Sequence, residues 1–202
     1  DLTKAMTELS GDGILKTCQL GYDGKGQVRL SENDDLVAAF ASLQTNDAIL
    51  EEMIPFHAEA SFLVARAIDG SLSSFPASLN EHKNGILARS FAPAALPEAV
   101  INEGKAAVSA LAEALDLVGL LALETFVTDD NHLLFNEIAP RPHNSFHWSI
   151  EGCETSQFTQ LIRAVDGLPL GRTNCYGTWQ MDNLLGEDMG CLEALANKAG
   201  LH

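Results

Sequence analysis

Val118-Gly119-Leu120-Leu121-Ala122-Leu123-Glu124-Thr125-Phe126-Val127 and His132-Leu133-Leu134-Phe135-Asn136-Glu137-Ile138 are two strand-forming runs, and Asp130-Asn131 between them is a turn pair. Such a pattern predicts a β-hairpin. With Asp130-Asn131 as a two-residue turn, facing positions sum to 261. Glu124 then lies opposite Glu137. Two carboxylates opposed across strands repel each other, so a shared proton, a basic neighbour or a divalent cation must offset the repulsion. Oxygen-only ligands favour Mg²⁺, which commonly joins one or two carboxylates to substrate phosphates. The alternatives are a solvated surface pair, or a register slipped by two positions that separates the two residues.

Immediately beyond the hairpin lies Pro140-Arg141-Pro142-His143-Asn144. Two prolines stiffen a segment rich in hydrogen-bond donors, which suits a small anion; a structural turn is the plain alternative. Toward the N-terminus, Gly21-Tyr22-Asp23-Gly24-Lys25-Gly26 joins two short strands, Gly13–Thr17 and Gln27–Leu30. Its glycines let the backbone approach a ligand, and successive N–H groups can cradle phosphate. The loop matches neither G-x-x-x-x-G-K-[ST] nor G-x-G-x-x-G, and an ordinary loop between strands is the competing reading. Lys16 and Lys25 place two of only 12 cations beside it. Glu51-Glu52-Met53-Ile54 closes a strand where two lobes meet, so it can offer backbone groups to a purine edge or be a plain edge strand. Glu59 and His82 carry no individual signal.

The remaining pattern predicts a small lobe over residues 1–55 and a larger one over residues 56–202. The small lobe has a helical start at Leu2–Leu9, strands at Gly13–Thr17, Gln27–Leu30 and Ala48–Ile54, and a helix from Asp34 to Leu43 capped by Asn33. In the larger lobe strands are expected at Glu59–Ile68, Leu72–Phe75 and Gly85–Ser90. Pro97 is expected as the first residue of a helix reaching Leu115, with Ile101, Val108, Leu111 and Leu115 facing the sheet. Further helices near Ser156–Val165 and Cys191–Lys198 flank a strand near Tyr176–Met181. The fold class is α+β with mainly antiparallel sheets.

A formal charge of −16 argues against nucleic acid as a partner. No apolar run approaches the roughly 20 residues that cross a bilayer, so a membrane partner is not expected either. Cys18, Cys153, Cys175 and Cys191 form no C-x-x-C pair, and zinc or a disulfide framework fits them badly. Reduced thiols and a cytoplasmic location are the expectation. The chain starts at Asp1 without an initiator Met and reads as trimmed at its start.

In this order the segments resemble the ATP-grasp superfamily, and within it the 5-(carboxyamino)imidazole ribonucleotide synthetases, the ATP-dependent phosphoribosylaminoimidazole carboxylase subunits of purine biosynthesis. The resemblance rests on Ile14-Leu15-Lys16, on Gly21 to Gln27, on Glu51 to Ile54, and above all on the run from Asn136 to Ser145. Thr155-Ser156-Gln157-Phe158 and Gly167-Leu168-Pro169-Leu170-Gly171 extend it. It implies an ATP-grasp fold, with ATP and Mg²⁺ as cofactors and bicarbonate and aminoimidazole ribonucleotide as substrates. Lys16 and the loop Gly21, Tyr22, Asp23, Gly24, Lys25, Gly26, Gln27 would then cover the ATP phosphates. Glu51, Glu52, Met53 and Ile54 would hold adenine, Glu59 the ribose, and His82 would lie near the nucleotide. Glu124 and Glu137 would hold the metal with Asn136 alongside, while Tyr22, Asp23, Arg141, His143 and Asn144 would face bicarbonate and the imidazole. The resemblance also implies a missing N-terminal α/β domain and C-terminal segment, hence an inactive fragment with an enlarged apolar patch, and leaves room for a homodimer.

Two positions depart from the family pattern. Ala139 stands where many ATP-grasp enzymes have a metal-binding Asn, and Phe146 where a Gly is usual, which would narrow the substrate side of the pocket. The formate-dependent glycinamide ribonucleotide transformylases share the Asn-Glu and Pro-Arg-Pro-His segments, but His147-Trp148 after Asn144-Ser145 favours the carboxylating family. A non-catalytic nucleotide-binding module is a third reading.

Overall fold

A computed structural model describes residues 2–9, 11–19, 25–196 and 198. The chain divides into two compact units, Asp1–Pro55 with Asn84–Ile86, and Phe56–Lys83 with Leu87–His202.

The first unit contains α1 (Leu2–Glu8), β1 (Gly13–Thr17), β2 (Gln27–Leu30), α2 (Leu36–Ser42) and β3 (Ala48–Glu52). Its strands form an antiparallel sheet in the order β2-β1-β3. Leu15 and Leu30 are its buried apolar centre. The cap of α2 is Asp35 rather than Asn33: its Oδ1 accepts from the N–H groups of Val37 and Ala38, both at 3.0 Å. Asp34, expected inside the helix, accepts from the N–H and hydroxyl of Ser31 instead. An acidic side chain satisfies orphan N–H groups at a helix start as well as an amide does.

The second unit comprises β4 (Ala58–Arg66), β5 (Leu72–Ser74), β6 (Ser78–Lys83), β7 (Ile86–Ala92), α3 (Glu98–Ala114), β8 (Gly119–Val127), β9 (Leu133–Ala139), α4 (Ser149–Gly152), α5 (Gln157–Val165), β10 (Trp179–Asp182) and α6 (Leu192–Leu195). Its sheet runs β10-β7-β6-β4-β8-β9, with β5 paired to β4. The central pair, β4 and β8, is antiparallel along its full length from Ala58↔Val127 to Arg66↔Gly119. Both strands are buried on both faces and read as near-continuous apolar runs.

One face of this sheet packs on α3 through Phe62, Val64, Leu121 and Leu123 against Val100, Val108 and Ala112. Pro97 caps α3 rather than opening it, and the stripe against the sheet is Val100, Gly104, Val108 and Ala112. Ile101 and Leu111 only flank that stripe, and Leu115, expected to face the sheet, is 55% exposed. Small residues decide the contact: a Cβ at Gly104 would lie 2.1 Å from the Phe62 ring. The expected Val108 lies in that stripe, and Gly104 lets the helix come close to the sheet.

The opposite face is divided. Leu63, Ala65, Leu120, Ala122 and Ala139 form an apolar half with Phe75, Phe146 and Trp148. Farther along the same alternation come Glu59, Ser61 and Glu124, with Ser78, Asn80 and His82 of β6 beside them. Strand β6 was absent from the expected elements. The helix expected near Cys191–Lys198 is α6 alone, preceded by a 3-10 turn over Gly186–Cys191. The face of α5 bearing Phe158, Ile162 and Val165 is exposed. Among the described residues no helix is long and apolar enough to cross a membrane.

Candidate active site

Glu124 of β8 does face Glu137 of β9, but not through a two-residue turn. Thr128 N–H donates to His132 C=O at 3.0 Å and Asn131 N–H to Thr128 C=O at 2.8 Å, with Asn131 at φ 63°. Next to this odd-membered turn the partners are Val127↔Leu133, Phe126↔Leu134 and Thr125↔Phe135. Asn136 then stands unopposed, and pairing resumes at Glu124↔Glu137. A bulge of this kind inserts one residue on one strand and re-aims its neighbours. The turn and the bulge offset each other, so the expected pair forms by a different route.

Glu124 is set in an acidic and largely buried place. Burial and, next, the charge of Glu137 push its carboxyl up to about 7, against weaker opposition from His82 and from the Ser61 hydroxyl. That hydroxyl donates to Glu124 Oε1 at 3.3 Å and ends a buried chain of donors. Ser90 Oγ donates to Asn80 Oδ1 at 2.9 Å, and Asn80 Nδ2 donates to Ser61 Oγ at 2.6 Å. The chain fixes the rotamer of each member and aims one hydrogen at the carboxylate. Such outer partners orient metal-binding carboxylates.

Beside this pair, His82 Nδ1 lies 2.7 Å from Glu59 Oε2. Burial lowers the His82 pKa, but the hydrogen bond and charge of Glu59, with Glu124 and Glu137 behind it, outweigh burial and raise it. The three carboxylates thus favour the protonated form of His82.

The stiff segment after β9 delivers His143 to the same place. The His143 side chain is buried, with Nδ1 2.8 Å from Ser145 Oγ and 3.7 Å from Glu124 Oε1. Burial first, then the charges of Arg141, His147 and His82, lower its pKa to about 4. His143 is neutral at neutral pH. Its backbone is clamped by Gln157 of α5, which accepts from His143 N–H and donates to His143 C=O, both at 2.8 Å. Gln157 is completely buried, so this amide substitutes for a strand partner. Arg141 is exposed, and its guanidinium donates to Pro142 C=O at 3.0 Å. Asn144 Oδ1 accepts from Ser145 N–H at 3.0 Å and shapes the 3-10 turn that follows.

One ligand atom each from Glu124, Glu137 and His143 lies within 4.8 Å of the others. Two carboxylates bound to one octahedral cation at about 2.1 Å have oxygens no more than about 4.2 Å apart. The cluster is compact enough for one small cation after minor side-chain adjustment, and its excess negative charge suits one. The donor set therefore fits Mg²⁺ through the two carboxylates, with the neutral imidazole as a neighbour.

In the first unit, Lys16 Nζ forms an ion pair with Glu51 Oε2 at 2.5 Å. Thus a residue expected on phosphate and one expected on adenine are partners here. Strand β3 ends at Glu52, so Met53 and Ile54 follow the strand, and Met53 N–H donates to Asp12 C=O at 3.0 Å. Gly26 has φ 76° and accepts from Thr17 N–H at 2.8 Å; Gln27 pairs with Lys16. Gly21, Tyr22, Asp23 and Gly24 lie outside the described residues.

One expectation about the departures from the pattern is corrected. Phe146 does not narrow a substrate pocket: it is completely buried, 6.2 Å from the Phe75 ring and 6.1 Å from the Trp148 ring. Ala139, apolar as expected at that position, packs in the apolar half of the face, opposite Ala122. Ser61, Asn80, Ser90 and Gln157 were missed. Their signal was polar residues at inward positions, which alternation alone cannot separate from solvent-facing ones.

A facing carboxylate pair on an antiparallel sheet, with a separate small sheet carrying lysine and a glycine-rich connection, is the layout of an ATP-grasp domain. A family model described as the ATP-grasp domain matches residues 1–158, and the chain belongs to that family. More narrowly, it is 45% identical over 193 residues to the N5-carboxyaminoimidazole ribonucleotide synthase of Bacillus subtilis, covering 96% of this chain and 51% of that protein. A solved N5-carboxyaminoimidazole ribonucleotide synthetase in complex with ADP superposes with a TM-score of 0.91 at 44% identity, over 97% of this chain and 52% of that one. The Aspergillus clavatus synthase, solved with ADP and 5-aminoimidazole ribonucleotide, gives 0.87 at 25% identity, over 97% and 53%. The chain spans about half the length of the curated synthases it matches.

Proposed function

We propose that this chain forms the nucleotide- and metal-binding part of an ATP-dependent ligase that carboxylates 5-aminoimidazole ribonucleotide. Bicarbonate supplies the carboxyl group, and the products are N5-carboxyaminoimidazole ribonucleotide, ADP and phosphate. The observation that carries the reading is the facing Glu124–Glu137 pair with His143 beside it. The similarity to the Bacillus and Aspergillus synthases supports the choice of substrates.

Glu124 and Glu137 hold Mg²⁺, which when bound neutralises phosphate charge and charge developing during transfer. Asn136, carried on the bulge, lies alongside them. Lys16 exchanges Glu51 for a phosphate oxygen, and the loop from Gly21 to Gln27 covers the phosphates with backbone N–H groups. Glu51, Glu52, Met53 and Ile54 take the adenine, and Glu59, backed by His82, takes the ribose.

A bicarbonate oxygen attacks the γ-phosphorus, the bond to ADP breaks, and carboxyphosphate forms. The exocyclic amine of the imidazole then attacks its carbonyl carbon, phosphate leaves, and the amine releases a proton. Arg141 presents a planar fork of donors to the carbonate and carboxyphosphate. His143 is neutral and contributes a hydrogen bond rather than charge, so Arg141 carries the larger share. Asn144, Tyr22 and Asp23 complete the substrate side. Positioning and charge neutralisation supply most of the catalysis. The setting proposed is the cytoplasm, with a homodimer as the assembly.

The test is ADP release by the complete protein with paired substrates. Aminoimidazole ribonucleotide with bicarbonate is expected to stimulate release. Stimulation by glycinamide ribonucleotide with formate instead would replace this reading with the transformylase.

A further inference from the structure

Cys153 follows α4 and Cys175 precedes β10, and the two form an isolated antiparallel bridge. Two backbone hydrogen bonds flank them: Tyr176 N–H to Gly152 C=O at 3.1 Å, and Glu154 N–H to Asn174 C=O at 3.2 Å. These bonds leave Cys153 and Cys175 as a non-hydrogen-bonded pair, the type in which facing Cα atoms lie about 4.5 Å apart. A disulfide spans Cα separations of about 4.4 to 6.8 Å. The bridge is fastened on its open side too, since Asn174 Nδ2 donates to Glu154 Oε1 at 2.9 Å. Both cysteines are half-buried against the apolar half of the sheet face, and Cys175 Sγ rests on Gly177 C=O at 3.5 Å. The other two cysteines, Cys18 and Cys191, are exposed.

We infer that Cys153 and Cys175 are a modification site, joined by exchange with a small-molecule disulfide into a reversible cross-strand bond that staples α5 in place. The Cys175 thiolate attacks the reagent, breaking its S–S bond and expelling one thiolate. The Cys153 thiolate then attacks the Cys175 sulfur and expels the second. Two electrons and two protons pass from the protein to the reagent, which leaves as two thiols. The closed loop, residues 153–175, contains α5, whose Gln157 clamps His143 and whose Gln160 clamps Gly171 through N–H and C=O, each at 2.9 Å. Closing the bond turns the Cys175 sulfur away from Gly177 C=O, on a backbone that already sits in register. Burial pushes both thiols up, Cys153 to about 12, so bond formation near neutral pH is slow.

The experiment oxidises the folded 202-residue chain with excess oxidised glutathione at mildly alkaline pH. The product is unfolded, alkylated, digested and mapped by mass spectrometry. The expected result is a Cys153–Cys175 cross-linked peptide pair, with Cys18 and Cys191 carrying glutathione, and a melting temperature higher by roughly 5 to 10 °C that dithiothreitol reverses. Cys153 and Cys175 recovered alkylated or separately glutathionylated after Cys18 and Cys191 have fully reacted would overturn the proposal. Bonds scrambled among all four cysteines would do so as well. The result is independent of the ligase assignment, since no substrate enters the assay.

Discussion

Glu124 faces Glu137 because Asn136 is bulged out of β9, and without that bulge Glu124 would face Asn136. The turn at Thr128–His132 has odd length, so a regular ladder would pair positions summing to 260. One unopposed residue restores the acidic pair. The cost is a concentration of acidic groups: Glu59, Glu124 and Glu137 lie together, and they raise the pKa of His82 beside them.

Glu124→Gln is expected to stabilise the metal-free protein at alkaline pH. The folded carboxyl titrates at about 7, against 4.5 for the free group. Below the unfolded value both states are protonated and nothing is lost. As pH rises toward the folded value the unfolded chain has released a proton that the folded chain retains, so stability falls. The variant should gain on the order of 3 kcal/mol at pH 8 and little at pH 4.5. Urea denaturation in EDTA at the two pH values measures this; an equal effect at both would contradict the burial argument.

Asn80→Ala removes the link that aims Ser61 at Glu124. Loss of an outer partner of this kind typically weakens metal affinity by about 10- to 100-fold. Titration of the nucleotide-bound protein with Mn²⁺, followed by electron paramagnetic resonance, reads the loss without any turnover. Unchanged Mn²⁺ affinity would make the chain of Ser90, Asn80 and Ser61 purely structural.

Gln157→Leu leaves both His143 backbone groups without their partner inside the protein. An unsatisfied buried group costs about 1–3 kcal/mol, so the pair of lost bonds should destabilise by roughly 2–5 kcal/mol. Denaturant midpoints test the size. A change below about 0.5 kcal/mol would show that the clamp is dispensable.

Much of this fold was legible because its chemistry was local. Residues of β8 alternate an apolar face with a mixed one, and Asp130-Asn131 marks the turn. The hidden parts depend on distant partners. Strand β6 reads as surface because Ser78 and Asn80, its inward residues, are polar; Trp148, Ser145, Ser61 and Ser90, each distant in sequence or on another strand, make burying them tolerable. The face of α3 was read rightly at Val108 and wrongly at Leu115, and Gly104, which sets the approach to Phe62, was overlooked because periodicity weights large residues over small ones. Phe146 looked like a pocket residue because it stands where the family pattern usually has Gly, yet a 3-10 turn points it into the core. Cys153 and Cys175 looked unrelated, since nothing in their spacing reveals a bridge.

Arg141→Lys keeps the charge and loses the planar fork. A donor aimed at developing charge is worth about 10²- to 10³-fold in rate, so carboxylation should fall by that much with ATP affinity little changed. Carboxylation rate against bicarbonate concentration at saturating ATP is the check. Weakened ATP binding with an untouched bicarbonate dependence would make Arg141 a nucleotide residue.

The most direct test of the central claim is Mg²⁺ dependence in the Glu137→Gln variant of the complete protein. Release of ADP driven by aminoimidazole ribonucleotide and bicarbonate would be followed against Mg²⁺ concentration, with circular dichroism reporting the fold. If Glu124 and Glu137 hold the metal together, turnover falls by about 10²-fold or more while the fold persists. Near-normal turnover at limiting Mg²⁺ would contradict it.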